Sequence, residues 1–530
     1  MAKYRSSLNF ATQYAAAKNG YTSGIENYFF VANESVAGSF VAPALGTQGV
    51  STSGSTPSVD ISAGTDTSIK ISVDGGVAVT ASVVVAGLTS GVLIAEAFET
   101  AINTALGAAG QDGRVWMDYS SSLYHVYSQK LGVASAVVIT SATSNDVADA
   151  LKLGVANSGT EAVGTHTNSF LLFKSGSVKL TQPIELSAHR SGRQGSSIIK
   201  KKKVVEGEIA TYACVDATTL DVDAPVSSLL ECIFGTKTVS GSEISFTMAD
   251  LPTRYLSILN CSNAHNAALN GGFAKSWTLT AAGDSPAEIK IPLKGRDLKY
   301  CGIAKASAPV SNSASFVCVP GEAASVEAQS VCMVVDADGR TVVAGGDGTL
   351  RVVSVLSDTA TLSAPVTCLT GAYLVPFNPY LLGSISGNEN ILTDLEGSVS
   401  FDGGSTSIEE ITSVEIAVDP KYTEFDNYYG ADGNRGYIAA DRAEIKVMVE
   451  MNLSASQFKK IIAMKSFTEF SMKVVLGGAA ARRMEIVCPR VIYNLPAIEI
   501  PENGVVSVKF EGLALQTAPG SLDALKLSYK

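Results

Sequence analysis

No stretch of this sequence approaches the roughly 20 consecutive apolar residues that a membrane-spanning helix needs. The opening Met1-Ala2-Lys3-Tyr4-Arg5-Ser6 leads into polar, alanine-spotted sequence instead of the apolar core of a signal peptide. Synthesis in the cytoplasm without export, and no membrane partner, are therefore expected. Charge is sparse, at 17% of residues against a usual ~25%. Hydrophobic residues nevertheless reach 46%, with 48 glycines, which excludes an intrinsically disordered chain. Basic residues are the minority: 39 Lys and Arg against 50 Asp and Glu leave a net charge of −11, which argues against any general grip on nucleic-acid phosphate.

Chemistry-bearing patterns are scarce too. There are four histidines, His125, His166, His189 and His265, and none stands in H-x-x-x-H or beside a cysteine at ligand spacing. Cysteines at 214, 232, 261, 301, 318, 332, 368 and 488 form no C-x-x-C pair and read as reduced, mostly core thiols. No phosphate-binding G-x-x-x-x-G-K-[ST], no G-x-S-x-G and no dinucleotide-binding glycine pattern occurs. Asp336-x-Asp338-Gly339 opens like a calcium loop, but position 12 of that register is Asp347 rather than Glu, so a hairpin turn is the better reading. No catalytic residue, metal or cofactor is expected.

What the sequence does contain is β pattern. A length of 530 residues suggests about three to four domains. Strand-like Tyr28 to Val31 and Ser35 to Val41 end at Ala42-Pro43-Ala44, and Gly46 to Pro57 reads as a Gly/Ser/Thr linker. Beyond it come a hairpin through Asp74-Gly75, a helix with Ile94, Phe98, Ile102 and Leu106 on one face, three strands between 114 and 140, and a short helix from about 145 to 152. Together these make a self-contained α+β unit over 45–164. Phe170 to Leu180 resumes the first domain, so that unit is an insertion into a loop. The assignment is 1–44 with 165–316 for the first β domain, 45–164 for the α+β insertion, 317–380 for a small β-barrel insertion, and 381–530 for the second β domain.

The two β domains carry the same order of elements. In the first, a strand precedes the polar loop 187–199, a strand with Val205 and Ile209 on one face, and a helix opened by the capping box Ser228-x-x-Glu231. In the second, a strand over Val414 to Val418 precedes the loop 422–441, the alternating Ile445, Val447, Val449 and Met451, and a helix opened by Ser454-x-x-Gln457. This is an internal duplication with low identity. The loops hold Arg190, Arg193 and Gln194 in one copy and Tyr422, Phe425, Tyr428, Tyr429, Asn434, Arg435 and Tyr437 in the other. Aromatics beside charges suit a protein interface, and self-packing is the competing reading. The basic run Lys200 to Lys203 reads as salt-bridging at an interface.

At Val31-Ala32-Asn33-Glu34-Ser35-Val36-Ala37-Gly38-Ser39-Phe40-Val41-Ala42-Pro43, Ser175-Gly176-Ser177-Val178 and Ser191-Gly192-Arg193, the chain resembles the major tail tube proteins of long-tailed bacteriophages, and Arg490 to Ser528 looks similar as well. The resemblance implies a mainly β fold with short helices: two tail-tube-type β-sandwich or barrel domains in tandem, with the α+β unit and small barrel as outward decorations. It implies a self-assembling virion protein whose rings stack into a conduit for DNA ejection. With two tube domains per chain, three chains close a ring of six units; a hexamer is the alternative. The implied partners are further copies of the chain, a tape measure protein, tail tip or terminator proteins, DNA passing without specific binding, and a sheath in a contractile tail. Ring–ring contact is expected at Arg190, Arg193, Gln194, Tyr428, Tyr429, Asn434 and Arg435. A flagellin-like or adhesin-type filament protein and a β-scaffold hydrolase are the other readings.

Overall fold

In the computed structural model the described residues are 4–17, 28–34, 36, 38–165, 171, 173–182, 184–186, 198–200, 203–216, 224–241, 243–249, 254–283, 285–382, 389–393, 397–401, 411–424, 437–439, 441–453, 461–462, 465, 468–477, 482–496, 498 and 506–530. They form a mainly β protein with short helices. One large sheet system of 17 strands holds the hairpin Gly235–Ser240 and Glu243–Met248, eight further strands of a first copy and seven of a second. The first eight are β1 (Tyr28–Glu34), β2 (Phe173–Thr181), β3 (Val204–Tyr212), β4 (Tyr255–Cys261), β5 (Asn266–Ala274), β6 (Trp277–Ala282), β7 (Glu288–Gly295) and β8 (Asp297–Cys301). The second seven are β9 (Ser398–Phe401), β10 (Ile411–Asp419), β11 (Glu444–Asn452), β12 (Phe470–Leu476), β13 (Met484–Tyr493), β14 (Ser507–Leu515) and β15 (Lys526–Tyr529).

The pairing makes the duplication explicit. All neighbours are antiparallel, in the order β2-β3-β7-β5-β4-β1 with β8 beside β5. The second copy runs β10-β11-β14-β13-β12-β9 with β15 beside β13. Even the irregularities coincide. A bulge lies between Phe173 and Ser175 in β2 and between Ile411 and Ser413 in β10; another lies between Leu269 and Gly272 in β5, opposite Ile258 and Leu256, and between Cys488 and Val491 in β13, opposite Met472 and Phe470. A bulge re-aims every side chain beyond it, so matched bulges fix the correspondence residue by residue. In the first copy Phe29 bridges to Leu171, just ahead of β2, so the strand order returns on itself.

Alternation puts one face of these strands into a single core. Val205, Ile209, Ile289, Ile291 and Leu293 of the first copy and Val447, Val449, Val508 and Phe510 of the second are all buried. The helix Ala224–Phe234 covers the first copy with Leu229, Leu230 and Ile233. It begins before the expected cap at Ser228, with Pro225 in its first turn, where proline's fixed φ suits a helix start. Its end is as expected: Gly235 takes φ +87°, and a Cβ there would meet the Ala249 side chain. The second capping box, Ser454 to Gln457, lies outside the described residues.

The α+β unit has its own core, formed by Ile69, Ile71, Phe98, Ile102, Val126 and Ile139 among others. Its helix, Gly91–Ala108, is capped by Ser90. Two expectations fail here. Val50–Thr52, inside the expected linker, is a strand between Leu123–Ser128 and Thr160–Ala162 with Ser51 fully buried. Gly49 and Gly54 lie against backbone at 135 and 158, where a Cβ would come within 2.5 Å of an oxygen, so these glycines serve packing, not freedom. The expected helix at 145–152 is a set of turns. Asn145 and Lys152 take positive φ, which a right-handed helix cannot hold, so the segment between them makes only single turns, with the Leu151 amide donating to the Val147 carbonyl.

The small β unit is larger than 317–380. Strands Ala304–Lys305 and Val310–Val317 belong to it, and Tyr4–Arg5 pairs with Thr341–Ala344, so the first residues join this unit instead of the first β domain. Ser39 to Val41 form no strand. Asp338 makes the expected hairpin turn, accepting from the Arg340 and Thr341 amides.

Candidate functional site

The sequence pointed to Arg190, Arg193, Gln194, Tyr428, Tyr429, Asn434 and Arg435; all seven lie outside the described residues, as do Lys201 and Lys202 of the basic run. The bases of both loops are described. Ile184–Leu186 pairs with Ile198–Lys200, extending β2 and β3, and Tyr422–Glu424 pairs with Tyr437–Ala439, extending β10 and β11. The two loops therefore leave the same hairpin in the two copies. Tyr422 turns inward: its hydroxyl lies 3.4 and 3.5 Å from the Cys232 and Ile233 carbonyls, and its ring meets Phe273 edge-on. Self-packing is the correct reading for that tyrosine, and burial pushes its pKa up.

The strongest feature was not singled out from sequence. The two copies are joined edge to edge through β6 and β10, paired from Trp277 opposite Val418 to Ala282 opposite Ser413. Trp277, Leu279, Ile416 and Val418 are fully buried in this junction. A second link runs through β15, which pairs on one side with β13 and on the other with Glu243–Met248 of the first copy. At the end of β10, Lys421 Nζ sits between Asp419 (2.8 Å) and Glu444 (2.9 Å), and these carboxylates hold its pKa up. The signal in the sequence was the alternation Trp277-Thr278-Leu279-Thr280-Ala281, which marks a strand without telling which strand it meets.

The same positions at the outer ends have no such neighbour. Between Ser175 and Lys179, β2 pairs only with β3 among the described residues, and Ser175, Gly176, Ser177 and Lys179 are exposed. Ile498, bridged to Val508, is 39% exposed, and Leu495 is 55% exposed. Gly176 is required at its place, because a Cβ would sit 2.6 Å from the Phe29 ring.

Several described side chains elsewhere hold structure. Glu34, in the stretch that carries the resemblance, is buried; its carboxylate accepts from the Ser257 hydroxyl (2.8 Å) and from the Gly271 (2.9 Å) and Gly38 (2.7 Å) amides, while burial raises its pKa. Nearby, Arg351 of the small β unit donates to the Phe40 carbonyl at 2.7 Å and covers the Phe40 ring, fastening that unit to the first copy. Ser262 Oγ lies 2.8 Å from His265 Nδ1, but Ser262 is buried in its own turn and so is not presented as a nucleophile. A cleft of about 620 Å³ between the α+β and small β units carries Arg5, Arg114, Arg340, Asp112 and Asp338. The ion pair Arg340–Asp112 crosses it, and Arg5–Asp338 lies on the small β side. All eight cysteines are buried free thiols. Among the described residues no three His, Cys, Asp or Glu side chains gather as a metal site, and no helix is long and apolar enough to cross a membrane. No family model and no curated protein matches this chain.

Proposed function

We propose that this chain is a virion structural protein without catalysis. It polymerises into rings that stack as a phage tail tube and conducts DNA during ejection. The observation that carries the reading is the junction: two copies of one strand order meet edge to edge through β6 and β10, head to tail. A head-to-tail contact repeated by a constant rotation either closes a ring or grows a filament. Two units per chain make three chains the natural ring, with six as the alternative. Exposed sheet edge, an aggregation hazard in most proteins, is then the assembly surface. A net charge of −11 suits a conduit that must not retain phosphate by counterion release.

The loops 187–199 and 422–441 would reach the next ring, and the α+β and small β units would face outward. Partners would be further copies of the chain, the tape measure protein, tail tip or terminator proteins and, in a contractile tail, a sheath. Electron microscopy of the purified chain with mass measurement tests this. Stacked hollow rings of three chains are expected; rings of six would keep the tube and overturn the trimer, and a persistent monomer would overturn the proposal.

A further inference from the structure

We infer that the exposed edge of β2 in one chain takes up the Ile498 segment of a second copy, antiparallel, with Ile498 opposite Val178. The pairing repeats between chains what β6 and β10 do within one, and it rests on the ring reading above while fixing the register that reading leaves open.

The register follows from four strands read across. Phe173 lies opposite Thr211, Thr211 opposite Ile289, and Ile289 opposite Leu279. In the second copy Ile411 lies opposite Met451, Met451 opposite Val508, and Val508 opposite Ile498. Ile498 therefore stands where Leu279 stands. From the matched bulges, Val178 stands where Ile416 stands, and within the chain Leu279 is opposite Ile416.

Exposure separates the two pairs. Leu279 and Ile416, directly opposite each other, are fully buried in the common core, whereas Ile498 is 39% exposed and Val178 only half-buried. The duplicate of each junction strand thus presents an apolar residue at the same position with no second strand paired alongside it among the described residues. The rotation that carries the first copy onto the second would carry the second onto the first copy of the next chain, placing Ile498 over Val178. A second copy of this chain is the one occupant whose complementary strand is already drawn in the molecule.

Cysteine pairing across the proposed register tests it, because directly opposed antiparallel residues bring Cβ atoms within disulfide reach. The single variants Val178→Cys and Ile498→Cys are mixed and oxidised, with Ser175→Cys replacing Val178→Cys as the off-register control about 10 Å along the strand. The native cysteines are all buried, so background coupling is low. Disulfide-linked dimers at least tenfold more abundant for 178 with 498 than for 175 with 498 are expected. The double variant Val178→Cys/Ile498→Cys should give a ladder ending at the ring number. Electron microscopy on the same samples separates the two proposals. Rings without the 178–498 link overturn the register and leave the ring reading standing; linked open chains without rings support the register and overturn the ring reading. Equal coupling at 175 and 178, or neither link nor assembly, overturns the inference.

Discussion

Strands β2 and β10 occupy the same place in two copies of one design, with the same bulge and the same following hairpin, yet their burial differs along their length. In β10, Val414, Ile416 and Val418 are buried and the strand has a neighbour on each side. In β2 the matching Gly176, Val178 and Leu180 are exposed or half-buried. Topology is shared, so the difference comes from what lies alongside: β6 beside β10 and, among the described residues, no strand beside β2 from Ser175 to Lys179 on the side away from β3. A sheet strand's environment is set by its neighbours as much as by its sequence. The difference between the copies thus maps where, among the described residues, a strand lacks a second neighbour.

The largest effect should come from placing a charge in the covered strand. Ile416→Glu puts a carboxylate against Leu279 and Trp277 in the junction, which should destabilise the chain by on the order of 5 kcal/mol and leave little folded protein. Thermal unfolding checks this; a melting temperature close to wild type would break the comparison, since β10 would then be no more enclosed than β2. Next comes Leu279→Ala, which should lose about 2 to 5 kcal/mol in denaturant unfolding, whereas Ile498→Ala should stay within about 0.5 kcal/mol in the unassembled chain. Similar losses at the two positions would show that Ile498 is already covered.

Much of this was legible in the sequence because both copies alternate with period two, and hydrophobic alternation reports half-buried strands directly. Val205 with Ile209, and Ile445 with Val447 and Val449, were placed correctly for that reason, and the repeated order of strand, loop and strand exposed the duplication. The failures share a cause. Val50-Ser51-Thr52 is too short and polar to show a period, and only its neighbours at 123–128 and 160–162 make it a strand. Asn145 to Lys152 has helical spacing, but positive φ at both ends confines it to single turns, and the Val147 amide donates to Ser68. Ala304 to Val317 join the small β unit by pairings that no local pattern announces. The junction was hidden likewise: Trp277 and Leu279 mark a strand, and pairing with a residue more than a hundred positions away leaves no trace in either segment.

A smaller effect sharpens the comparison at Asn266 and Glu485, which open β5 and β13. Asn266 reaches the carbonyls of Val331 and Phe377 in the small β unit, at 3.1 and 3.0 Å. Glu485 is instead enclosed with Lys530, Arg483 and Lys473, at 2.6, 2.8 and 3.4 Å. Burial works to raise the Glu485 pKa, but Lys530 and the other two cations outweigh it, and the net shift is downward. A carboxylate whose pKa is lower folded than unfolded stabilises the fold above its ordinary pKa, and that contribution is lost as pH falls through the lowered value. Glu485→Gln should therefore cost about 1 to 3 kcal/mol at pH 7, with the gap to wild type closing in acid. Denaturant unfolding across that range measures it; a gap that persists in acid would assign the loss to packing.

The smallest effect on the fold carries the most information about assembly. Val178→Glu changes a half-buried side chain packed at the margin of the core, so the unassembled chain should lose only about 1 kcal/mol. If β2 is covered in the particle, that carboxylate meets Ile498 of the next chain in a dry contact, and particle formation should fall at least tenfold while melting of the unassembled chain shifts little. Adding Ile498→Lys supplies a cation opposite it, and since buried opposite charges recover much of what a lone charge loses, assembly should partly return. Ile498→Lys alone should fail as Val178→Glu does. Recovery in the double variant, measured by sedimentation against both singles, requires the two residues to be neighbours; failure of all three alike would mean that either charge blocks assembly without the other's position mattering, and the likeness between β2 and β10 would then end at topology.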